Sequence, residues 1–107
     1  MQKIDRTVID EAVRLLVAAA NPVKIILFGS FARGNAGPYS DIDLLVVEKR
    51  VRKRRMEMVR LRDVLRPLNV PVDVLVISAR TFTEWWDTPG TVIYEAAQTG
   101  KVLYEAS

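Results

Sequence analysis

Apolar positions along the chain follow two different periods. Over residues 8–20 they recur every three or four positions between charged ones, which predicts an amphipathic helix. Asn21-Pro22 ends this helix, because the residue before a proline avoids the α conformation. Short apolar runs bounded by polar or turn residues predict three buried strands, at residues 24–28, 41–47 and 72–77.

The remaining segments continue this alternation of helices and strands. Residues 30–33 predict a short helical turn that Gly34 ends, within a stretch of small residues and breakers. A basic helix is expected after the second strand, and Pro71 separates it from the third. Residues 92–98 predict a helix with Pro89 near its start and Gly100 as its C-terminal cap, and residues 101–104 predict an edge strand. The apolar stripe of the basic helix is formed by Val51, Met58, Leu61, Leu65 and Leu68. The pattern is typical of an α/β fold.

The composition restricts the available chemistry. The chain has 107 residues, half of them hydrophobic, which is enough for one small domain over residues 1–107. It contains no cysteine and no histidine, which excludes disulfides, thiolate or imidazole metal sites and His-dependent nucleophiles. Any catalysis must therefore use carboxylates, hydroxyls, cations, backbone amides and oxygen-bound metal ions. No signal peptide is recognisable and no apolar run reaches the ~20 residues of a membrane span, so we expect a cytoplasmic protein without membrane contact.

Positive charge is concentrated in residues 49–66. Nine Lys and Arg residues there face only Glu57 and Asp63, a net charge of +7 against −4 for the rest of the chain. This segment can meet an acidic partner or nucleic-acid phosphate, or it can form a solvated helix face. The absence of interleaved aromatic residues disfavours stacking on a single strand.

Two adjacent tryptophans form a second candidate contact region. Trp85 and Trp86 cannot both enter one small core, so they predict either a cap over the core or an interface in a homo- or hetero-oligomer.

Three aspartates on predicted strands form a candidate metal site. Alternate strand residues share a face, so Asp41 and Asp43 point the same way and Ile42 points into the opposite layer. At ~4 Å and an effective dielectric near 20, two such carboxylates repel by about 4 kcal/mol, which a hard divalent cation would offset. Asp73 lies in an apolar strand and joins the pair if the second and third strands are neighbours. Alternatives are a turn role for Asp41 and a salt bridge for Asp73.

Gly29-Ser30 is a candidate phosphate-binding element. It follows a buried strand and opens a helical turn, where glycine permits close approach of an oxyanion and Ser30 adds a hydroxyl donor. Arg33 has two interpretations, a cation for a triphosphate or a surface salt bridge. The stretch is not a P-loop, because Asn35-Ala36 stand where Lys-Ser/Thr is required.

Gly29-Ser30, followed at fixed spacing by Asp41-Ile42-Asp43 and a later strand acid, resembles the DNA polymerase β-like nucleotidyltransferase superfamily. Leu-Phe-Gly-Ser-Phe-Ala-Arg-Gly and Ser-Asp-Ile-Asp-Leu-Leu-Val are most similar to its minimal (MNT-type) members, over residues 24–77 and again near the C-terminus. The resemblance implies a mixed sheet of about four strands flanked by helices. It also implies that Asp41, Asp43 and Asp73 bind two Mg²⁺ ions, with Asp73 orienting or deprotonating an acceptor hydroxyl. Gly29 and Ser30 would hold the phosphates of ATP.

The same resemblance suggests a partner. Many minimal members accompany a HEPN-domain toxin, and some act as antitoxins by transferring AMP from ATP to a tyrosine of that toxin. We therefore expect a protein adenylyltransferase acting on a HEPN partner. The alternative is a non-catalytic antitoxin or binding module that masks its partner through the basic helix or the tryptophans. Transfer to a small molecule fits less well, because a short chain has few walls for an enclosed acceptor pocket.

Overall fold

The computed structural model describes residues 4–37 and 40–107. Pro38 and Tyr39, part of the predicted breaker stretch, lie outside the described residues. Ten elements follow in chain order: α1 (Arg6–Ala20), β1 (Lys24–Phe28), α2 (Ser30–Arg33), β2 (Ile42–Glu48), α3 (Arg54–Val64), a 3-10 turn (Arg66–Leu68), β3 (Val72–Ser78), α4 (Ala79–Trp85), α5 (Val92–Thr99) and β4 (Lys101–Glu105).

The four strands form one mixed sheet in the order β3-β2-β1-β4. β1 pairs antiparallel with β2 and with β4, whereas β2 and β3 run parallel. The predicted second and third strands are therefore neighbours, and β4 is an edge strand as expected. The prediction of an α/β fold with a mixed four-stranded sheet is confirmed.

Helices cover both faces of the sheet. One face packs against α1 and α3 around a core that includes Leu16, Leu44 and Leu61. The other face packs against α4 and α5 around Leu45, Val47 and further apolar residues. Because both faces are covered, almost every residue of β2 is buried, which explains its continuous apolar sequence.

Local signals account for several element boundaries. The Asp5 carboxylate accepts a hydrogen bond from the Val8 amide at 3.1 Å and caps α1. Asn21 ends α1 in the left-handed conformation, with φ of 46°. None of the helices within residues 4–37 and 40–107 is both long enough and apolar enough to cross a bilayer.

The structure differs from the sequence predictions at two helices. Helix α4 was not predicted, because its Thr, Phe and Trp residues have low helix propensity; it begins where Ser78 Oγ accepts a hydrogen bond from the Thr81 amide at 3.1 Å. The basic helix is shorter than its stripe, since Val51 precedes α3 and Leu65 and Leu68 follow it. Gly100 caps the C-terminus of α5 as predicted, in an extended conformation with φ of −78° and ψ of 170°.

Candidate active site

Asp43 and Asp73 are direct partners across the parallel strands β2 and β3. Neighbouring strands lie about 4.8 Å apart, and partners in register project to the same face. That face is the α4–α5 side, because Leu45 and Val47 alternate with Asp43 along β2 and pack there. Asp41 precedes β2 by one residue and is exposed, as is Asp73, whereas Asp43 is partly buried. The three predicted acids therefore lie at one end of two adjacent strands.

The electrostatic environment links these acids to a fourth. Burial, then the neighbouring charges of Asp73, Asp41 and Glu95, raise the pKa of the Asp43 carboxyl, while Arg33 opposes this shift. The carboxylates thus repel one another at this end of the sheet. Glu95 was not singled out from the sequence, because it belongs to α5 and reaches the site only through packing of that helix over β1.

Gly29 forms the wall of the site behind Asp43. Its φ of 75° and ψ of −155° lie in a region that is essentially restricted to glycine. A Cβ atom added there would lie inside contact distance of Asp43 Oδ2 and 3.2 Å from Asp43 Cγ. Glycine is therefore required at this position both for the backbone conformation and for the room that the Asp43 carboxylate occupies.

Ser30 and Arg33 belong to α2, the short helix that starts directly after Gly29. The Gly29 carbonyl accepts a hydrogen bond from the Arg33 amide at 3.1 Å, which closes the turn. The Arg33 side chain donates from Nη1 to Glu95 Oε1 at 2.8 Å. In this structure Arg33 therefore forms a surface salt bridge, one of its two predicted roles, and its partner is Glu95.

The donor atoms at this end of the sheet suit a hard cation. Carboxylate oxygens are the ligands preferred by Mg²⁺, and positive charge would relieve the repulsion on Asp43. Within residues 4–37 and 40–107, no three acidic side chains are already grouped closely enough to hold one ion. Strand register aligns Asp43 with Asp73, and both Asp41 and Asp73 are exposed at this end of the sheet.

The other candidate regions lie away from the acids. Trp86 lines a groove of about 410 Å³ with Lys24, Val47 and Phe82, at the opposite end of β2 from Asp43. Asp43 and Val47 are four positions apart along β2, which corresponds to about 13 Å. Trp85 and Trp86 are each 44% exposed, so neither is sealed in the core.

Part of the basic segment has structural contacts. Arg54 donates to the Val76 carbonyl at 2.7 Å, and Arg60 donates to the Ala19 carbonyl at 3.0 Å. Arg66 pairs with Asp63. The charge run is therefore only partly a solvated face.

Comparison with known proteins agrees with this architecture. The chain matches the family of nucleotidyltransferase domains over residues 7–97. Over 44 residues it is 54% identical to a Methanocaldococcus jannaschii protein whose name provisionally assigns it protein adenylyltransferase activity. That match covers 40% of this chain and 30% of the relative, so it spans less than a third of the relative's length.

Two solved structures have a similar fold. A chain of a toxin–antitoxin structure with AMP-PNP superposes with a TM-score of 0.64 at 19% identity, covering 92% of this chain and 74% of the other. A chain from the complex of a tri-AMPylated Shewanella oneidensis HEPN toxin with an MNT antitoxin gives 0.63 at 18% identity, covering 96% and 74%. These likenesses support the predicted fold, and the family match extends over most of the sequence. The chain belongs to the nucleotidyltransferase domain family.

Proposed function

We propose that residues 1–107 form one domain that transfers a nucleoside monophosphate, AMP from ATP, to a hydroxyl group of a partner protein in a Mg²⁺-dependent reaction. The observation that carries this proposal is the register of Asp43 with Asp73, beside Asp41 and against Gly29. Oxygen ligands at the same end of two adjacent strands, next to the Gly29-Ser30 turn, match the needs of nucleotidyl transfer.

Each residue has a role in the proposed site. Asp41, Asp43 and Asp73 would hold Mg²⁺, which when bound would neutralise the phosphates and the leaving pyrophosphate. Gly29 and Ser30 would contact the β- and γ-phosphates, Gly29 by close backbone approach and Ser30 through its hydroxyl. Arg33 follows Ser30 by three residues on the same short helix, so it would face the same phosphates.

The reaction is a displacement at the α-phosphorus. The acceptor hydroxyl oxygen forms a bond to that phosphorus as the bond to the bridging oxygen of the β-phosphate breaks, releasing pyrophosphate. Asp73, on the edge strand and exposed, accepts the hydroxyl proton. The chain supplies mainly positioning and charge for this step, since it has no histidine or cysteine for covalent chemistry.

The acceptor is inferred from relatives. The archaeal relative is named for adenylyl transfer to protein, and one structural neighbour comes from a complex of an AMPylated HEPN toxin with an MNT antitoxin. These support a HEPN-domain toxin as the partner and a hydroxyl on that toxin as the acceptor.

The test uses ATP labelled on the α-phosphate with Mg²⁺ and a candidate HEPN-domain protein. We expect a labelled partner with the wild-type chain and with Asp10→Ala, an exposed acid on α1, but not with Asp43→Ala. Circular dichroism should show that Asp43→Ala remains folded. Mg²⁺ should raise the melting temperature of wild type and Asp10→Ala only. Full labelling by folded Asp43→Ala would refute the assignment.

A second function, masking of the partner without transfer, is favoured by the half-exposed tryptophans and the cations of α3. In that case Asp43→Ala still neutralises the toxin in a growth assay. Trp85→Ala with Trp86→Ala, or Arg55→Glu with Arg62→Glu, abolishes neutralisation while leaving the chain folded. The transfer function predicts loss of neutralisation with Asp43→Ala.

A further inference from the structure

One ion pair joins the proposed phosphate turn to a distant helix. Arg33 on α2 and Glu95 on α5 are 62 residues apart, and their side chains meet at 2.8 Å. The other ion pairs among residues 4–37 and 40–107 join residues three or four positions apart, except that of Lys24 with Glu105. Both Arg33 and Glu95 remain nearly half exposed, so incoming solutes can reach the pair.

The pair lies beside the proposed metal ligands. Arg33 belongs to the short helix that starts directly after Gly29, the residue that packs against the Asp43 carboxylate. Arg33 also lies one helical turn beyond Ser30. A triphosphate that contacts Ser30 would therefore compete with the Glu95 carboxylate for the same guanidinium, since that group binds carboxylate and phosphate in the same forked geometry.

We propose that Glu95 is a positioning residue that acts through Arg33. It holds the guanidinium at the mouth of the site and releases it to the triphosphate, so that its carboxylate sets the affinity for the nucleotide. This inference rests on the proposed function, because it assumes that a nucleotide binds at Gly29-Ser30. Glu95 is not a metal ligand or a base in this scheme.

The scheme predicts the direction in which removal of the Glu95 charge changes the affinity for the nucleotide. Glu95→Gln frees Arg33 at little cost to stability, because an exposed ion pair contributes little to folding. It should tighten nucleotide binding by about 1.4- to 5-fold, the range that corresponds to the strength of exposed pairs. Arg33→Ala should weaken binding. In the Arg33→Ala background, Glu95→Gln should have a smaller effect, because the part that acts through Arg33 is gone and only the direct influence of its charge on Asp43 is left.

The experiment measures binding without transfer. An ATP analogue with a methylene group between the α- and β-phosphates is titrated calorimetrically, with Mg²⁺, into wild type, both single variants and the double variant. Glu84→Gln is the control, since Glu84 forms an ion pair with an arginine, Arg80, on α4, and the two side chains are more exposed than Arg33 and Glu95. In the transfer assay, Glu95→Gln should lower the KM for ATP and leave kcat almost unchanged.

The outcomes separate this inference from the proposed function. Weaker binding by Glu95→Gln, or an effect of equal size in the Arg33→Ala background, would overturn the role of Glu95 alone. An effect of Glu84→Gln as large as that of Glu95→Gln would do the same, since it would reduce the result to net charge. No binding by wild type would overturn both proposals.

Discussion

Replacing Gly29 by alanine tests the central geometry of the site. Gly29 has a φ of 75° and a ψ of −155°, a backbone conformation that costs residues other than glycine about 1–3 kcal/mol. Alanine at this position would therefore be strained. Its Cβ would also overlap the Asp43 carboxylate. Overpacking of this kind costs typically 1–3 kcal/mol. We therefore expect Gly29→Ala to lower the free energy of unfolding by about 2–6 kcal/mol, a large part of the 5–15 kcal/mol typical of a domain.

Gly34→Ala is the matched control for this substitution. Gly34 has a similar φ of 76°, but a Cβ atom there has no neighbour within 4 Å. Its cost should be limited to the left-handed backbone, about 1–2 kcal/mol. Urea unfolding followed by tryptophan fluorescence measures both variants, since the chain contains just two tryptophans.

A double variant isolates the carboxylate contact. In the Asp43→Ala background the oxygen that opposes the new Cβ is absent, so Gly29→Ala should cost only its backbone strain. The reasoning would be refuted if Gly29→Ala cost the same in both backgrounds, or no more than Gly34→Ala. Either result would mean that Asp43 does not need glycine behind it.

Two further predictions concern the rest of the fold. Burial raises the pKa of Glu48 to about 7, so the folded chain holds a proton there that the unfolded chain releases near 4.5. The stability that this proton contributes is complete below pH 4.5 and is lost as the pH rises through about 7. Urea titrations at pH 5 and 8 measure this loss, and Glu48→Gln should abolish it. The same loss of unfolding free energy in Glu48→Gln as in wild type would contradict the prediction. Gly100→Ala should destabilise by about 1–3 kcal/mol although its φ is ordinary, because a Cβ would meet the Ala96 carbonyl oxygen and lie 2.8 Å from that of Leu27. Gly37→Ala, with Ser40 Oγ at 3.8 Å, is its control, and equal melting temperatures would refute the clash.

The strands and the acidic end of the sheet were predictable from the sequence. Runs of Val, Ile and Leu are long enough to define β1, β2 and β3, and the spacing of Asp41 and Asp43 predicts that they lie close together, although β2 begins one residue after Asp41. The position of Asp73 was predicted only under the condition that β2 and β3 are neighbours. Strand order depends on how helices pack on the sheet, which a local pattern does not encode.

The features that were missed depend on contacts between distant segments. Glu95 meets Arg33 because α5 folds back over β1, and nothing in the sequence around either residue indicates that contact. Gly100 was predicted only as a helix cap, and its small size is also needed against Ile26, whose Cγ2 would lie 2.6 Å from an added Cβ. Helix α4 was missed because its start depends on one serine hydroxyl rather than on helix-forming residues.

The candidate site combines features that oppose folding. Gly29 occupies a rare backbone conformation. Burial and the neighbouring negative charges raise the pKa of Asp43 and so disfavour its ionised form. These costs lie at one end of β2, while residues 44–47 of the same strand are buried on both faces and stabilise the sheet. A strand anchored so firmly at its centre can keep carboxylates together at its end, where a free loop would let them separate. The position of Asp43 on a buried strand, in register with Asp73, is therefore the feature on which the proposed binding of a cation and a triphosphate depends.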